Sequence, residues 1–142
     1  MKRSLVVEAH GGPLGVVIAG ANVHDATLLK RTLQAIVVPQ PRSTSRNTQH
    51  LCLDKGYDNP TGRAAATCRG HTPHIRWIGQ EKLDRRGRKR HPARRWVVER
   101  TLGWLSKCRA ILIRYDKNPS NYLGLIQLAC ALLWYRRLCV LR

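Results

Sequence analysis

Residues 51–58 read LCLDKGYD, a short apolar run that ends at Asp54 and passes directly into a turn. Such a run predicts a buried β-strand. Folds that alternate strands and helices place ligand-binding side chains just beyond the carboxyl ends of their strands. Asp54 is therefore the first candidate for a functional residue, and a purely turn-forming aspartate is the competing interpretation.

The segments on either side of this strand alternate between strand-like and helical patterns. Two Val-rich runs over 2–9 and 14–21, joined by a Gly-Gly turn, predict a β-hairpin. The other predicted elements are a strand over 74–78 and helices over 26–37, 61–70, 93–113 and 122–138. The first helix has Asn22 or Asp25 as its candidate N-cap, and the last is apolar almost all round, which predicts a buried helix. This order implies an α/β fold with a mixed sheet in a single domain.

The composition is strongly basic. The 142-residue chain carries 26 Lys and Arg against 8 Asp and Glu, a formal net charge of +18. The sequence pI of about 11.1 points to a polyanionic partner, most simply nucleic acid. Only 6% of the residues are aromatic and Phe is absent, which argues against a platform that stacks single-stranded bases.

The apolar segments indicate neither secretion nor membrane insertion. The longest one, residues 122–135, falls short of the roughly 20 residues that a membrane span needs, and the amino-terminal run is too short for a signal peptide. We therefore expect a cytoplasmic protein without a membrane partner. The five cysteines are scattered and form no C-x-x-C pair, which supports neither a disulfide framework nor a zinc module. Cys52 and Cys130 are interpreted as small core residues.

A run of basic residues over 85–91 has no apolar period and predicts an exposed loop. A loop that served only solubility would mix charges of both signs, so this one is the best candidate for binding phosphate groups. Such contacts hold the nucleic-acid backbone without reading base sequence. The candidate DNA-binding residues of this loop and of the start of the next helix are Arg85, Arg86, Arg88, Lys89, Arg90 and Arg94.

Glu99 is a single carboxylate among arginines in the predicted helix over 93–113. A surface salt bridge with Arg95, one turn earlier, is the simpler interpretation. The alternative is a metal ligand, because a carboxylate kept beside bound phosphates needs a compensating cation. Phosphodiester cleavage by two metal ions needs several converging carboxylates, and Asp54 and Glu99 alone are one short of such a site.

Four segments, in order along nearly the whole chain, resemble motifs of bacterial insertion-sequence transposases of the DDE class, insertion-sequence five type. They are residues 20–25 (GANVHD), 51–58 (LCLDKGYD), 97–105 (VVERTLGWL) and 114–117 (RYDK). The resemblance implies an RNase H-like mixed sheet flanked by helices, and metal-dependent DNA strand cleavage and strand transfer with Mg²⁺ or Mn²⁺. It makes Asp54 and Glu99 catalytic metal ligands and Arg95 a phosphate contact. Lys107 becomes a further DNA contact, one place later than the lysine of the family.

The first catalytic acid of this family lies on a strand upstream of the hairpin, and the sequence begins inside the segment that matches the hairpin. We therefore expect residues 1–142 to form a single, N-terminally truncated RNase H-like catalytic domain that is inactive by itself. The first strand is central in the family's sheet, so the strand before Asp54 should have an unpaired edge or a substitute neighbour. The expected partners are transposon-end and target DNA and the N-terminal part of the transposase. The alternatives are a non-catalytic basic nucleic-acid-binding protein and a decayed transposase remnant.

Overall fold

The computed structural model describes residues 1–75 and 95–140, and its elements follow one another as in an α/β protein. The elements are β1 (Lys2–Val7), β2 (Pro13–Ala19), α1 (Asp25–Gln34), β3 (Gln49–Leu53), a 3₁₀ turn (Lys55–Tyr57), α2 (Pro60–Thr67), β4 (His71–Ile75), α3 (Arg95–Ser106), α4 (Arg109–Leu112) and α5 (Pro119–Val140). The predicted order of elements is found in these ranges, with two differences. The strand predicted over 74–78 begins earlier, at His71, and residues 76–78 lie outside the described ranges. The helix predicted over 93–113 is divided into α3 and α4.

The division of that helix has a local cause. The amides of Lys107 and Cys108 bond back by only three residues, to the carbonyls of Trp104 and Leu105, each at 3.1 Å. Such bonds tighten the last turn of α3 and end it. Apolar spacing alone continues across this point, which is why the sequence pattern predicts one helix.

The N-cap of α1 also differs from the prediction. His24, rather than Asn22 or Asp25, occupies the cap position, and its Nδ1 accepts a hydrogen bond from the Ala26 amide at 3.2 Å. Asp25 is instead the first residue of the helix, where a negative charge interacts favourably with the helix dipole.

Strand pairing within residues 1–75 and 95–140 forms two separate two-stranded sheets. β1 and β2 are an antiparallel hairpin with a bulge after Val6. β3 and β4 are parallel, with Gln49 opposite His71 and Leu53 opposite Ile75. The predicted mixed sheet is therefore found as one antiparallel and one parallel pair, and each strand keeps one edge without a partner among the described residues.

Hydrophobic clusters join these sheets to the helices. One packs the hairpin against the carboxyl-terminal helices, and its buried members are Val16, Leu105, Ile111, Tyr122, Ile126 and Ala129. The other lies under α1 and consists of Leu29, Leu33 and Ala65, with Val6, Ile36, Leu51, Leu53 and Tyr57 packed against them. Because Val6 belongs to β1 and Leu51 to β3, α1 lies over strands of both sheets.

The turn of the hairpin is bound by side chains of α3 and α5. The bonds run from Arg100 and Arg137 to the His10 carbonyl (2.6 and 2.7 Å), from Thr101 to the Gly11 carbonyl (2.7 Å) and from Trp134 to the Pro13 carbonyl (2.7 Å). Gly11 has a φ of +90°, which favours glycine, and a Cβ there would lie 2.9 Å from Thr101 Oγ1. Both backbone conformation and packing therefore require the glycine.

The two arginines that bind this turn lie between indole rings. Arg100 Cζ is 4.6 Å from the ring centroid of Trp96 and 4.9 Å from that of Trp104. Arg137 Cζ is 5.7 Å from the ring centroids of both Trp104 and Trp134. These are cation–π distances. We call these five residues the Arg–Trp stack; it connects α3 to α5 and fixes the guanidinium groups on the hairpin.

Glu8 completes the turn from within the hairpin. Its carboxylate accepts from the amides of His10 and Gly12, each at 2.7 Å, and pairs with Arg137 Nη1 at 3.0 Å. Burial by itself raises the pKa of the Glu8 carboxyl, but the hydrogen bonds from His10, Gly12 and Arg137 outweigh burial and hold this pKa below its ordinary value of 4.5. The carboxylate is therefore ionised at neutral pH.

One face of α5 is exposed, so the prediction of a helix buried on all sides is wrong. Tyr122 and Ile126 are buried, whereas Leu128 is 59% and Tyr135 64% exposed. A helix that is apolar all round carries no signal for the side that is covered. Within the described ranges, no helix combines the length and the apolar character that crossing a membrane requires.

β3 also has one exposed face, which corrects the interpretation of Cys52 as a core residue. Leu51 and Leu53 pack under α1, whereas His50 and Cys52 are exposed. Side chains alternate between the two faces of a strand, so a run of apolar residues does not show that both faces are covered. Cys130 is half-buried and packs against the core.

Candidate catalytic site

Asp54 follows β3 directly, and its side chain is exposed at the carboxyl end of the β3–β4 pair. It also forms the turn: its Oδ1 accepts from the Lys55 amide at 2.6 Å, and its carbonyl accepts from the Tyr57 amide at 3.0 Å. The turn-forming interpretation is therefore correct. It is compatible with the functional one, because the turn holds the carboxylate at the exposed end of the strand.

The hydroxyl of Tyr57, in the 3₁₀ turn after Asp54, is influenced by two carboxylates. Burial raises the pKa of the Tyr57 hydroxyl, and the negative charges of Asp25 and Asp54 raise it further. The helix α1, which begins at Asp25, packs against the 3₁₀ turn that contains Tyr57. Asp25 also pairs with Lys2 Nζ at 3.1 Å. Sequence spacing gives no signal for this proximity, which depends on the packing of α1 against the 3₁₀ turn.

Glu99 is exposed on α3. Val97, Thr101 and Leu105 form the buried face of this helix. Glu99 lies on the opposite face, because it falls between Val97 and Thr101 in sequence, about half a turn from each. The structure does not describe the Arg95 side chain. The predicted salt bridge between Glu99 and Arg95 therefore lies outside the described residues.

Asp54 and Glu99 belong to different packing units of the described structure. Asp54 ends a strand that pairs with β4 and packs under α1, whereas α3 packs on β1, α4 and α5. Exposed carboxylate oxygens are suitable ligands for Mg²⁺ or Mn²⁺. The number of donors is too small, however, because no three His, Cys, Asp or Glu side chains of the described residues are close enough together to hold a metal ion.

The sequence as a whole matches a family model described as "Transposase DDE domain", over residues 1–134. The chain belongs to the DDE transposase family. It is also 32% identical over 141 residues to the "Putative transposase for insertion sequence element IS402" of Burkholderia cepacia, a match that covers 96% of this chain and 64% of that protein. No solved structure matches the chain.

These matches confirm the resemblance on which the DDE transposase prediction rests. DDE transposases as a family act on DNA and use divalent metal ions, which agrees with the excess of basic residues and with the exposed carboxylates. The transposase chain spans less than two thirds of the length of the IS402 relative.

The structure places few of the predicted DNA-binding residues of this chain. Lys107 is exposed at the junction between α3 and α4. Arg95 begins α3, but its side chain is outside the described part. The residues that lie entirely outside the described ranges are Arg85, Arg86, Arg88, Lys89, Arg90 and Arg94.

Two histidines of the chain lie in contact, and their spacing in the sequence gives no sign of it. His50 Nδ1 and His74 Nε2 are 2.6 Å apart, and the ring centroids are 4.7 Å apart. The residues lie 24 positions apart in sequence and come together because β3 and β4 pair in parallel with Cys52 opposite His74. A parallel register cannot be read from a single sequence, so sequence analysis could not predict this contact.

Proposed function

We propose that this chain supplies the second and third acids of a DDE transposase catalytic domain with an RNase H-like fold. In this proposal Asp54 and Glu99 hold a divalent metal ion, Mg²⁺ or Mn²⁺, and the substrates are transposon-end and target DNA. A metal ion bound there would supply Lewis-acid activation of phosphodiester oxygens. The observation that carries the proposal is the exposed Asp54 carboxylate at the end of β3, inside the range that matches the family model.

We propose further that the chain does not cleave DNA alone, and that polypeptide outside residues 1–142 supplies a strand with the first acid. Two observations support this. The described residues assemble no group of three potential metal ligands. β1 and β3 lie under the same helix, yet each pairs on one edge only within the described ranges. A strand between them would join the two pairs into the mixed sheet that the sequence predicts.

DNA is held in this proposal mainly through phosphate contacts. A formal charge of +18 gives strong attraction to a polyanion. Lys107 is exposed beside α3, the helix that carries Glu99, and Arg95 begins the same helix. We assign these two residues, with the basic residues 85–94, to the DNA backbone.

Nicking of supercoiled plasmid tests the catalytic proposal. The 142-residue chain is expected to give no nicking above background with Mg²⁺ or Mn²⁺. A chimera in which this chain is joined to the part of the IS402 relative that lies outside the match should gain metal-dependent nicking. Asp54→Asn or Glu99→Gln in the chimera should lower the nicking rate at least 100-fold, because each substitution removes a charged ligand.

Asp58→Asn is the matched control for Asp54→Asn. Asp58 lies four residues further along the same loop and pairs with Arg63 at 2.6 Å, so its loss should lower stability slightly and leave nicking in place. Nicking by the unmodified chain that disappears with Asp54→Ala would contradict the proposed incompleteness. A chimera whose activity survives both Asp54→Asn and Glu99→Gln would contradict the assignment of these residues.

The second candidate function is non-catalytic binding of nucleic acid, which the lack of a three-ligand group in the described residues favours. Thermal unfolding with added metal separates the two. If Asp54 and Glu99 hold a metal ion together, Mn²⁺ at ten times its dissociation constant should stabilise the chain by about 1.4 kcal/mol, and Glu99→Gln should remove the shift. An equal shift in both proteins, or none in either, would favour the non-catalytic function.

A further inference from the structure

A cleft of about 590 Å³ opens at the amino ends of the β3–β4 pair, where Gln49 and His71 lie opposite each other. Its other walls are the end of α1, the chain over 38–43 and the turn at Arg69 and Gly70. Asp54 follows the opposite end of β3. A five-residue strand is about 16 Å long, so the cleft is separate from the candidate catalytic site.

One side of the cleft is apolar. It is formed by Leu33, Ile36, Val38 and Pro41. Leu33 is buried at 2% exposure and gives this wall a fixed base, whereas Val38 is 45% exposed and lies towards the opening. A wall of this kind accepts a flat, weakly polar ring, but it gives no affinity to a small hydrated ion.

The rim of the cleft is cationic and polar. Arg42 and Arg69 both line it and are exposed, and none of the described lining residues is an Asp or Glu. Gln49 and Ser43 add side-chain amide and hydroxyl groups, and the backbone N–H of Gln49 donates to Ser43 Oγ at 3.4 Å. Two guanidinium groups without a lining carboxylate favour a ligand with a phosphate group.

His71 provides a polar group that the fold itself leaves unused. The residue lines the cleft at only 9% exposure, and its Nδ1 has no hydrogen-bond partner in the described part of the chain. Burial lowers the pKa of the His71 imidazole below its ordinary value, and the positive charge of Arg69 acts in the same direction. A buried polar atom without a partner is costly, and a ligand hydrogen bond would remove that cost.

We propose that this cleft binds a nucleotide, with the base against the Leu33–Val38 side and the phosphate between Arg42 and Arg69. The volume is in the range of small-molecule sites, which is about 300–1,000 Å³. Aliphatic side chains and guanidinium planes cover base faces, and amide and imidazole groups bond to base edges. The nucleotide is either free or an unpaired residue of a DNA strand, since both present the same base and phosphate. The proposal does not depend on the catalytic one.

Equilibrium dialysis with dAMP tests this proposal on the full chain, in the absence of divalent metal. Binding of dAMP is expected to be at least tenfold tighter than binding of inorganic phosphate. Arg69→Gln should weaken dAMP binding at least tenfold. Arg109→Gln, which removes the same charge from an exposed position on α4, should weaken it less than twofold. Equal losses in the two variants would show general attraction to a basic chain and overturn the proposal.

Val38→Ser tests the apolar wall separately. Val38 is largely exposed, so the variant should unfold at the same temperature as the unmodified chain. It should weaken dAMP binding and leave phosphate binding unchanged. Phosphate that binds as tightly as dAMP, or dAMP binding that is insensitive to both Arg69→Gln and Val38→Ser, would overturn the assignment of a nucleotide.

Competition by DNA distinguishes the two sources of the nucleotide. A single-stranded ten-nucleotide oligomer that displaces dAMP in an Arg69-dependent manner supports an unpaired residue of DNA. Retention of dAMP against the oligomer supports a free nucleotide. Failure of the whole experiment leaves the roles of Asp54 and Glu99 untouched, since the assay contains neither metal nor a cleavage step.

Discussion

At the hairpin turn, the backbone of His10 is bound by the Glu8 carboxylate at its amide and by two guanidinium groups at its carbonyl. Arg100 and Arg137 both donate to that carbonyl, and Glu8 pairs with Arg137 at 3.0 Å. In a chain of charge +18, a carboxylate placed beside an arginine also relieves repulsion among neighbouring cations. Glu8 therefore stabilises the hairpin turn through its contacts with His10, Gly12 and Arg137.

The Glu8→Gln variant should show this role through pH. The pKa of Glu8 is held below 4.5, so its charge contributes stability above that pH, and the contribution is lost as pH falls through the lowered pKa. At pH 7 the variant should be less stable by about 1–2 kcal/mol, because hydrogen bonds to a charged acceptor are lost. Below pH 4.5 the difference between the two unfolding temperatures should shrink towards zero. Equal unfolding temperatures at pH 7 would contradict the assignment.

Among the elements, α3 contacts the hairpin with one face and exposes Glu99 on the other. Its buried face carries Thr101, which donates to the Gly11 carbonyl, and its exposed face carries Glu99. The hairpin therefore fixes the rotation of α3 about its axis. The position of Glu99, the proposed metal ligand, therefore depends on the hydrogen bond between Thr101 and Gly11 on the opposite face of α3.

Thr101→Val should destabilise the chain, because it leaves the Gly11 carbonyl buried without its donor. The expected loss is about 1–3 kcal/mol, or about 3–10 °C in unfolding temperature. Thr101→Ser is the matched control, since it keeps the hydroxyl and should retain most of the stability. If the Val and Ser variants unfold at the same temperature, the hydrogen bond from the Thr101 hydroxyl does not contribute to stability.

The elements themselves were largely predictable from the sequence, and their ends and faces were not. Apolar spacing located the hairpin, α1 and β3 because burial of one side of each element is a local pattern. The end of α3 at Ser106 and the exposed side of α5 depend on backbone hydrogen bonds and on what packs nearby. Neither is encoded in the periodicity of a single segment.

For the whole molecule, the sequence singles out two candidate acids but does not place them in space. Asp54 and Glu99 stand out because of the motifs around them, and both lie inside the range that matches the family model. The neighbourhood of Asp54, with Asp25 and Tyr57, follows from how α1 packs and could not be read from spacing. The same holds for the contact between His50 and His74, which requires the register of two strands.

DNA binding by the whole chain should be steeply dependent on salt and nearly independent of sequence. If the bound chain neutralises about six phosphates, raising the salt concentration from 50 to 200 mM should weaken binding roughly 1,000-fold. Filter binding with a transposon-end duplex and an unrelated duplex of equal length measures both properties. A preference above about tenfold for the transposon end would contradict binding through phosphate contacts alone.

The tryptophans of the Arg–Trp stack provide an intrinsic fluorescence signal for the docking of the hairpin. Three of the four tryptophans, Trp96, Trp104 and Trp134, lie against the guanidinium groups that bind the hairpin. When the hairpin separates from α3 and α5, Trp134 loses its hydrogen bond to the Pro13 carbonyl and becomes hydrated, so its emission should move to longer wavelength. Intrinsic fluorescence can therefore follow the docking of the hairpin without any added label.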